Sequence, residues 1–113
     1  MKRVTSIKVS ELKTMAGKMY GGLVKGVVDV KKRILVLDAE MHADEEQFLL
    51  EKGSNQEDLW GINLFPEKYG SDDFVEFDSM INIRPRQKNM SREVENQRIR
   101  RDIIRIVDGI VKQ

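Results

Sequence analysis

The sequence predicts an α+β fold in which an antiparallel sheet of about four to five strands carries about three helices, packed mainly on one face. The clearest indication is residues 74–84, where apolar and polar side chains alternate as in a strand with one buried face. Residues 23–30 and 34–41 are apolar, β-branched runs on either side of the basic residues 31–33, which predicts a hairpin. Helical spacing of apolar residues in other segments predicts the helices.

Capping residues and spacing place the first two helices. Residues 4–9 are a short β-prone start, after which Ser10 caps a helix that extends to the glycines at 21–22. A second helix opens at Asp44, with acidic residues in its first turn, and ends before Gly53.

Two further elements complete the prediction. Residues 60–65, which precede Pro66, alternate as a strand does. Ser91 caps a last helix over residues 91–112. The broad apolar stripe of that helix consists of Ile99, Ile103, Ile106, Val107 and Ile110.

The chain of 113 residues has the composition of one globular domain, and no linker divides residues 1–113. Val, Ile, Leu and Phe supply 33 residues and the net charge is +1, whereas disordered chains combine few such residues with a large net charge. The lack of cysteine excludes a disulfide scaffold, a zinc ribbon, a thiol nucleophile and an iron–sulfur site. No apolar run suits a membrane span or a signal peptide, so we expect a cytoplasmic protein with no membrane partner. We also expect no cofactor.

Charge is segregated along the chain. Residues 1–33 carry a net charge of +7, residues 34–58 carry −7, residues 59–83 carry −4 and residues 84–113 carry +5. Basic and acidic segments can therefore face each other within one chain or between two copies. The same distribution can also form a basic surface for phosphate-rich partners. The sequence pI of 8.0 favours the first interpretation, because nucleic-acid-binding domains usually lie above about 9.

Asp38, Glu40 and the only histidine, His42, form the first candidate site. Alternate residues of a strand project to one side, about 6.6–6.8 Å apart. Carboxylates and an imidazole suit Mg²⁺, Mn²⁺ or Zn²⁺. The spacing matches neither an H-E-x-x-H helix nor an EF-hand loop. The alternative is that Asp38 and Glu40 are solvated and that His42 shapes the junction between strand and helix.

The second candidate site is the basic segment 84–92, which leads into the predicted start of the last helix. Free N–H groups at a helix N-terminus and nearby arginines can hold an anion. The segment lacks a glycine-rich phosphate-binding motif, so the alternative is an ordinary capped helix with solvated arginines. The residues that would contact the anion are Arg84, Arg86, Lys88, Asn89, Ser91 and Arg92.

Two further polar rows are interpreted as solvent-exposed surface. The polar side of the strand at 74–84 carries Glu76, Asp78, Asn82 and Arg84. In the last helix, Asp102 and Asp108 have the spacing to pair with a basic stripe. That stripe consists of Arg98, Arg101, Arg105 and Lys112.

Four short sequence segments are similar to those of a known family. They are His-Ala-Asp-Glu-Glu at 42–46, Asp-Leu-Trp-Gly-Ile-Asn at 58–63, Asp-Ser-Met-Ile-Asn-Ile-Arg-Pro at 78–85 and Ser-Arg-Glu-Val at 91–94. Taken together, they resemble a family of small, uncharacterised archaeal and bacterial proteins, over nearly the whole chain. The resemblance implies a stand-alone domain. It implies no activity, ligand or catalytic residue.

We therefore expect a small binding or interaction module that self-associates, as a homodimer, because charge segregation and a small core favour a partner surface. One alternative is an anion or nucleic-acid binder that uses residues 84–92. Another is a metal-assisted enzyme at Asp38, Glu40 and His42. A serine triad is not supported, because the chain has one histidine and no G-x-S-x-G motif. Nothing in the sequence argues for catalysis.

Overall fold

The computed structural model describes residues 1–113 and contains three helices and seven strands, several of them short. Short 3-10 turns connect some of these elements, among them Met80–Asn82 and Pro85–Gln87. The elements are β1 (Lys2–Val4), β2 (Ile7–Lys8), α1 (Val9–Ala16), β3 (Val24–Asp29), β4 (Ile34–Leu37), α2 (His42–Glu51), β5 (Leu59–Leu64), β6 (Val75–Glu76), α3 (Gln97–Ile110) and β7 (Val111–Lys112).

The main sheet has five strands in the order β1-β4-β3-β5-β6, and all neighbouring strands are antiparallel. The predicted hairpin, β3 and β4, lies at its centre. On its other side β3 pairs along its whole length with β5, from Val24 opposite Leu64 to Asp29 opposite Leu59. A parallel pair, β2 and β7, forms a second sheet. The predicted α+β fold with an antiparallel sheet is confirmed.

The two faces of the main sheet pack against different helices. The larger apolar core lies under α1 and α3, and Val28 of β3 belongs to it. Successive residues of a strand point to opposite faces, so Val27 packs on the other side, with Leu49 of α2. Two helices therefore share one face, and α2 covers part of the other.

The strand predicted over residues 74–84 is wrong beyond Glu76. Only Val75 and Glu76 pair with β5, and the chain then leaves the sheet for a 3-10 turn at 80–82. The predicted alternation is reversed in places, because Asn82 is fully buried whereas Ile83 is exposed. The physical reason is that the Asn82 side chain, rather than a strand backbone, hydrogen-bonds Gly61 of β5.

The last helix begins at Gln97, six residues after the predicted cap at Ser91. Its cap is Asn96, whose side chain accepts hydrogen bonds from the N–H groups of Arg98 and Ile99. Residues before it are held as a loop by the buried side chain of Asn89. That side chain donates to Asn82 O and Glu93 O, both at 2.7 Å, and accepts from Glu95 N at 2.8 Å.

The first two helices also begin earlier than predicted. The first starts at Val9 and ends at Ala16, several residues before the glycines at 21–22. The second starts at His42, so Asp44 does not cap it. Asp44 is an exposed residue of the first turn, where the helix dipole favours a negative charge.

Candidate functional site

Asp38, Glu40 and His42, the predicted metal set, are not brought together. Their side chains line three different surface depressions. Asp38 has a left-handed backbone, with φ of 73°, so the alternation of a regular strand ends before these residues. No group of three His, Asp or Glu side chains in the chain is placed to hold a metal ion. The expected grouping fails because β4 ends at Leu37.

Arg84, in the predicted anion site, is used within the fold. Its guanidinium donates to Gln56 O at 2.6 Å and Ile81 O at 3.0 Å, and also contacts Leu59 O. The same group stacks over the Trp60 ring, 4.5 Å from its centre. Burial lowers the pKa of Arg84, and its donors already have acceptors. We assign it a structural role, tying the loop after β6 to β5.

The other five residues of the predicted anion set do not converge on one concave site. Asn89 is buried and satisfied by backbone groups, and Ser91 accepts from Glu93 N at 3.2 Å. Arg92 pairs with Asp78 at 2.5 Å, while Arg86 and Lys88 are exposed. The helix is capped by Asn96, and of this set only Lys88 and Asn89 line a surface depression together with Asn96.

A cleft on the α2 side of the sheet collects polar residues from five separate segments. It has a volume of about 340 Å³ and contains the single histidine. We call it the His42 cleft. Its lining residues are Leu23, Lys25, Met41, His42, Ala43, Asn63, Glu76, Asp78, Ser79, Met80, Ile81 and Arg92.

The sheet register creates the floor of this cleft. Lys25 of β3 lies opposite Asn63 of β5, and Asn63 lies opposite Glu76 of β6. Ile62, the neighbour of Asn63, points into the larger core, so the Lys25–Asn63–Glu76 row faces the α2 side. The apolar contacts of α2 cover the sheet elsewhere, and His42, its first residue, stands beside this polar row.

Gly61 allows the cleft wall to approach the sheet. A Cβ atom on this residue would lie 2.6 Å from Ser79 Oγ and 3.2 Å from His42 Cδ2. Both distances are shorter than normal van der Waals contacts, so only glycine fits here without movement of its neighbours. The imidazole and the Ser79 hydroxyl are therefore both held against the same point of β5.

His42 is neutral in the folded protein at neutral pH. Its Nε2 lies 2.8 Å from Ile62 O, and because a carbonyl only accepts, Nε2 carries the proton. The other ring nitrogen is then an unprotonated acceptor. Burial lowers the pKa of His42, and the Ile62 carbonyl opposes that shift. Lys25 lowers this pKa as well.

Asn63, which lines the cleft, has a buried side-chain oxygen without a hydrogen-bond partner. Its side chain donates to Glu76 Oε1 at 2.8 Å and to Asp78 O at 3.1 Å. Its Oδ1 accepts no hydrogen bond, although Asn63 is 5% exposed. The Asn63 side chain raises the pKa of His42, so it lies close to the imidazole. Buried polar atoms normally have partners, so this oxygen is a vacant acceptor.

The arrangement suits binding better than nucleophilic catalysis. Ser79 is 1% exposed, and its hydroxyl oxygen accepts from Ile81 N at 3.3 Å. It is a packing residue against Gly61 rather than an accessible nucleophile. The cleft instead presents acceptor atoms in a space of the size that ligands occupy in proteins.

Sequence reasoning singled out four of the polar cleft residues, but in different groups. It placed His42 with the metal set, Arg92 with the anion set, and Glu76 and Asp78 in a solvated row. It missed Asn63, which is buried within β5. The signal that could have identified it is the single amide in the otherwise apolar and glycine-containing run 59–64.

Comparison with known proteins gives a family but no activity. No helix of the chain has the length and apolar character needed to cross a membrane. Neither a search of curated proteins nor a search of solved structures finds a significant match. A family match covers residues 3–110, nearly the whole sequence. The chain therefore belongs to the family described as "Protein of unknown function (DUF5674)".

Proposed function

We propose that this protein is a small binding module that holds a ligand with a protonated amine in the His42 cleft. The observation that carries the proposal is the vacant acceptor Asn63 Oδ1, buried in a residue that lines the cleft. An unpaired buried acceptor destabilises the free protein by about 1–3 kcal/mol. A donor group on a ligand would remove that cost.

The unfilled positions around Asn63 are also acceptors. One oxygen of Glu76 accepts from Asn63 and the other makes no hydrogen bond within the protein. Asp78 likewise uses only one carboxylate oxygen, with Arg92. Among the donors of the cleft, Lys25 Nζ donates to Glu40 O at 2.7 Å, His42 Nε2 donates to Ile62 O and Arg92 Nε donates to Asp78. The free carboxylate oxygens of Glu76 and Asp78 favour a ligand that is rich in N–H groups and positively charged.

The rim of the cleft suits the carbon chain of such a ligand. Met41 is 55% exposed and Met80 is 64% exposed, and both line the cleft. Methionine side chains adapt their shape to apolar partners. The volume of about 340 Å³ lies at the lower end of the usual range for ligand sites, which indicates a small molecule or a single side chain.

A titration followed by NMR tests the proposal. The probes are 1,4-diaminobutane, the uncharged 1,4-butanediol of the same length, and the anion glutarate. The readout is the ring resonance of His42, which is unambiguous because the chain has one histidine. We expect saturable shifts with the diamine, weaker shifts with the diol and none with glutarate. Equal responses to the diamine and glutarate, or no saturable response to the diamine, would overturn the proposal.

Matched variants show whether the response belongs to the cleft. Asn63→Ala and Glu76→Gln should each weaken diamine binding, whereas Asn55→Ala, an exposed amide of the chain outside the cleft, should not. Glu76 is exposed, so its conservative variant should fold even if Asn63→Ala lowers the melting temperature. Unchanged affinity in Glu76→Gln and Asn63→Ala would contradict the assignment of these acceptors.

Self-association and a cytoplasmic location are also proposed, as properties separate from the ligand site. The observation that favours a homodimer is the segregation of charge along the chain, because basic and acidic segments of two copies can then face each other. Sedimentation of the purified chain tests this. A concentration-independent mass of 13.1 kDa would exclude the homodimer.

A further inference from the structure

The fold brings the two basic ends of the chain together. The parallel pairing of β2 with β7 places Lys8 directly beside Lys112. Both lysines are exposed, and the alternate residues of these strands, Ile7 and Val111, are buried. Like charges on adjacent strands repel each other. The segregated charges are therefore concentrated at this point rather than neutralised.

The solvent-facing side of α3 extends this positive surface. At 100° per residue, Arg98, Arg101 and Arg105 share one side of the helix, and Lys112 follows the helix in β7. All three arginines are exposed, and the opposite side of α3 is buried in the larger core. At 1.5 Å per residue, the distance along the helix axis from Arg98 to Arg105 is about 10 Å.

The expected self-pairing of this stripe is wrong. None of the three arginines forms an ion pair, with Asp102, with Asp108 or with any other acid. By contrast, Arg100 of the same helix pairs with Glu93 at 2.9 Å and stacks over Phe77. Asp102 and Asp108 flank the arginines on this side of the helix. The stripe thus keeps a surplus of positive charge.

We propose that this surface binds the phosphate backbone of a nucleic-acid duplex, without reading its sequence. We call it the basic band, and define it as Lys8, Arg98, Arg101, Arg105 and Lys112. Guanidinium groups bind phosphate through paired hydrogen bonds, and the band is linear, as a row of phosphates is. The row of three arginines spans about three base pairs at about 3.4 Å each. It contains no aromatic residue, so bases have no stacking partner.

The basic band is independent of the proposed ligand site. It lies on α3 and the β2–β7 pair, whereas the His42 cleft lies on the α2 face of the main sheet. It also differs from the segment 84–92, whose Arg84 and Asn89 are occupied within the fold. Loss of binding at one site should leave the other unchanged.

The test is fluorescence anisotropy of the full chain with a labelled 20-base-pair DNA duplex of arbitrary sequence, measured over a range of salt concentrations. The variant Arg98→Gln/Arg101→Gln/Arg105→Gln removes three charges from the band. The control Lys31→Gln/Lys32→Gln/Arg33→Gln removes three exposed charges from the β3–β4 turn, so both proteins have the same net charge. Thermal melting confirms that both variants fold.

We expect the wild type and the control to bind, and the α3 variant to bind at least tenfold more weakly. The slope of log affinity against log salt should become shallower by about 2.7, which corresponds to three phosphate contacts at about 0.9 each. Equal losses in the two variants would show a net-charge effect and overturn the proposal. The absence of duplex binding at low salt would also overturn it. Tighter binding of poly-glutamate than of the duplex would overturn it as well and would indicate an acidic protein partner.

Discussion

Asn82 and Gly61 are joined by two hydrogen bonds that replace a missing strand. Asn82 Oδ1 accepts from Gly61 N at 2.8 Å, and Asn82 Nδ2 donates to Gly61 O at 3.0 Å. The same amide nitrogen donates to Arg92 O at 2.9 Å. The Asn82 side chain therefore pairs with the backbone groups of β5 at the point where β6 has ended. It also anchors the loop that forms one wall of the His42 cleft.

Removal of this side chain should destabilise the whole fold. Asn82→Ala leaves the N–H and C=O of Gly61 unpaired in a buried position, so we expect unfolding to become about 2–4 kcal/mol easier. Urea denaturation measures the change. Asn55→Ala, at an exposed position, should stay within about 0.5 kcal/mol of the wild type. Similar small effects in both variants would show that the pairing with Gly61 contributes little.

Gly61 itself should tolerate no side chain. In Gly61→Ala the new Cβ would lie 2.6 Å from both Cβ and Oγ of Ser79, so we expect a loss of about 1–3 kcal/mol from overpacking. Removing the opposing side chain in Gly61→Ala/Ser79→Gly should recover part of that loss. Thermal or urea melts of the single and double variants measure it.

Gly109 provides the contrasting glycine. It lies in α3, and a Cβ there would meet no atom within 4 Å. Gly109→Ala should therefore stabilise the protein by about 0.5–1 kcal/mol through helix propensity. If Gly61→Ala were as stable as Gly109→Ala, the close approach of Ser79 to β5 would be incorrect.

Glu45 should make the protein less stable as the pH rises. It is fully buried in α2 with neither carboxylate oxygen hydrogen-bonded, and burial raises its pKa to about 9. Between its ordinary pKa of 4.5 and about 9, the folded state holds one proton more than the unfolded state. The free energy of unfolding should therefore fall by about 1.4 kcal/mol per pH unit across this range.

Neutral replacement of Glu45 should remove that pH dependence. Glu45→Gln should be more stable than the wild type at pH 8 and should lose this advantage near pH 4, where both side chains are neutral. Asp44→Asn, at an exposed position one residue away, serves as the control and should not show this pattern. Parallel pH profiles for the wild type and Glu45→Gln would mean that Glu45 is solvated.

His42 should weaken the fold in acid. Because burial lowers its pKa below 6.5 in the folded state, the unfolded chain binds the extra proton first as the pH falls. The stabilisation is complete above about pH 6.5 and is lost as the pH falls toward the folded-state pKa. An NMR titration of the single imidazole should give a pKa below 6.5. A value above 6.5 would contradict its burial against Ile62.

Hydrophobic patterns correctly predicted the parts of the fold in which apolar residues are buried and polar residues are exposed. The β3–β4 hairpin and β5 follow from apolar runs that are buried on both faces of the sheet. The segment 74–84 has an equally clear alternation, but Asn82 and Ser79 are buried polar residues there. Polarity alone cannot identify a side chain that is buried because it pairs with a backbone.

The candidate site could not be predicted, because it is formed by contacts between residues that are distant in the sequence. The row Lys25–Asn63–Glu76 exists only because of the register between three strands. His42 joins it because α2 begins two residues before the predicted cap. In the sequence, the segment 84–92 was the more conspicuous candidate for a binding site. In the structure, the side chains of Arg84 and Asn89 donate hydrogen bonds to backbone carbonyl groups of the fold.

The pKa of His42, measured by NMR with and without saturating 1,4-diaminobutane, tests the ligand site most directly. A cation held beside Asn63 disfavours a second positive charge on the imidazole, so we expect a lower pKa with the diamine than without it. Glutarate should not lower it. A pKa that the diamine leaves unchanged, or raises, would contradict the assignment of the His42 cleft as an amine-binding site.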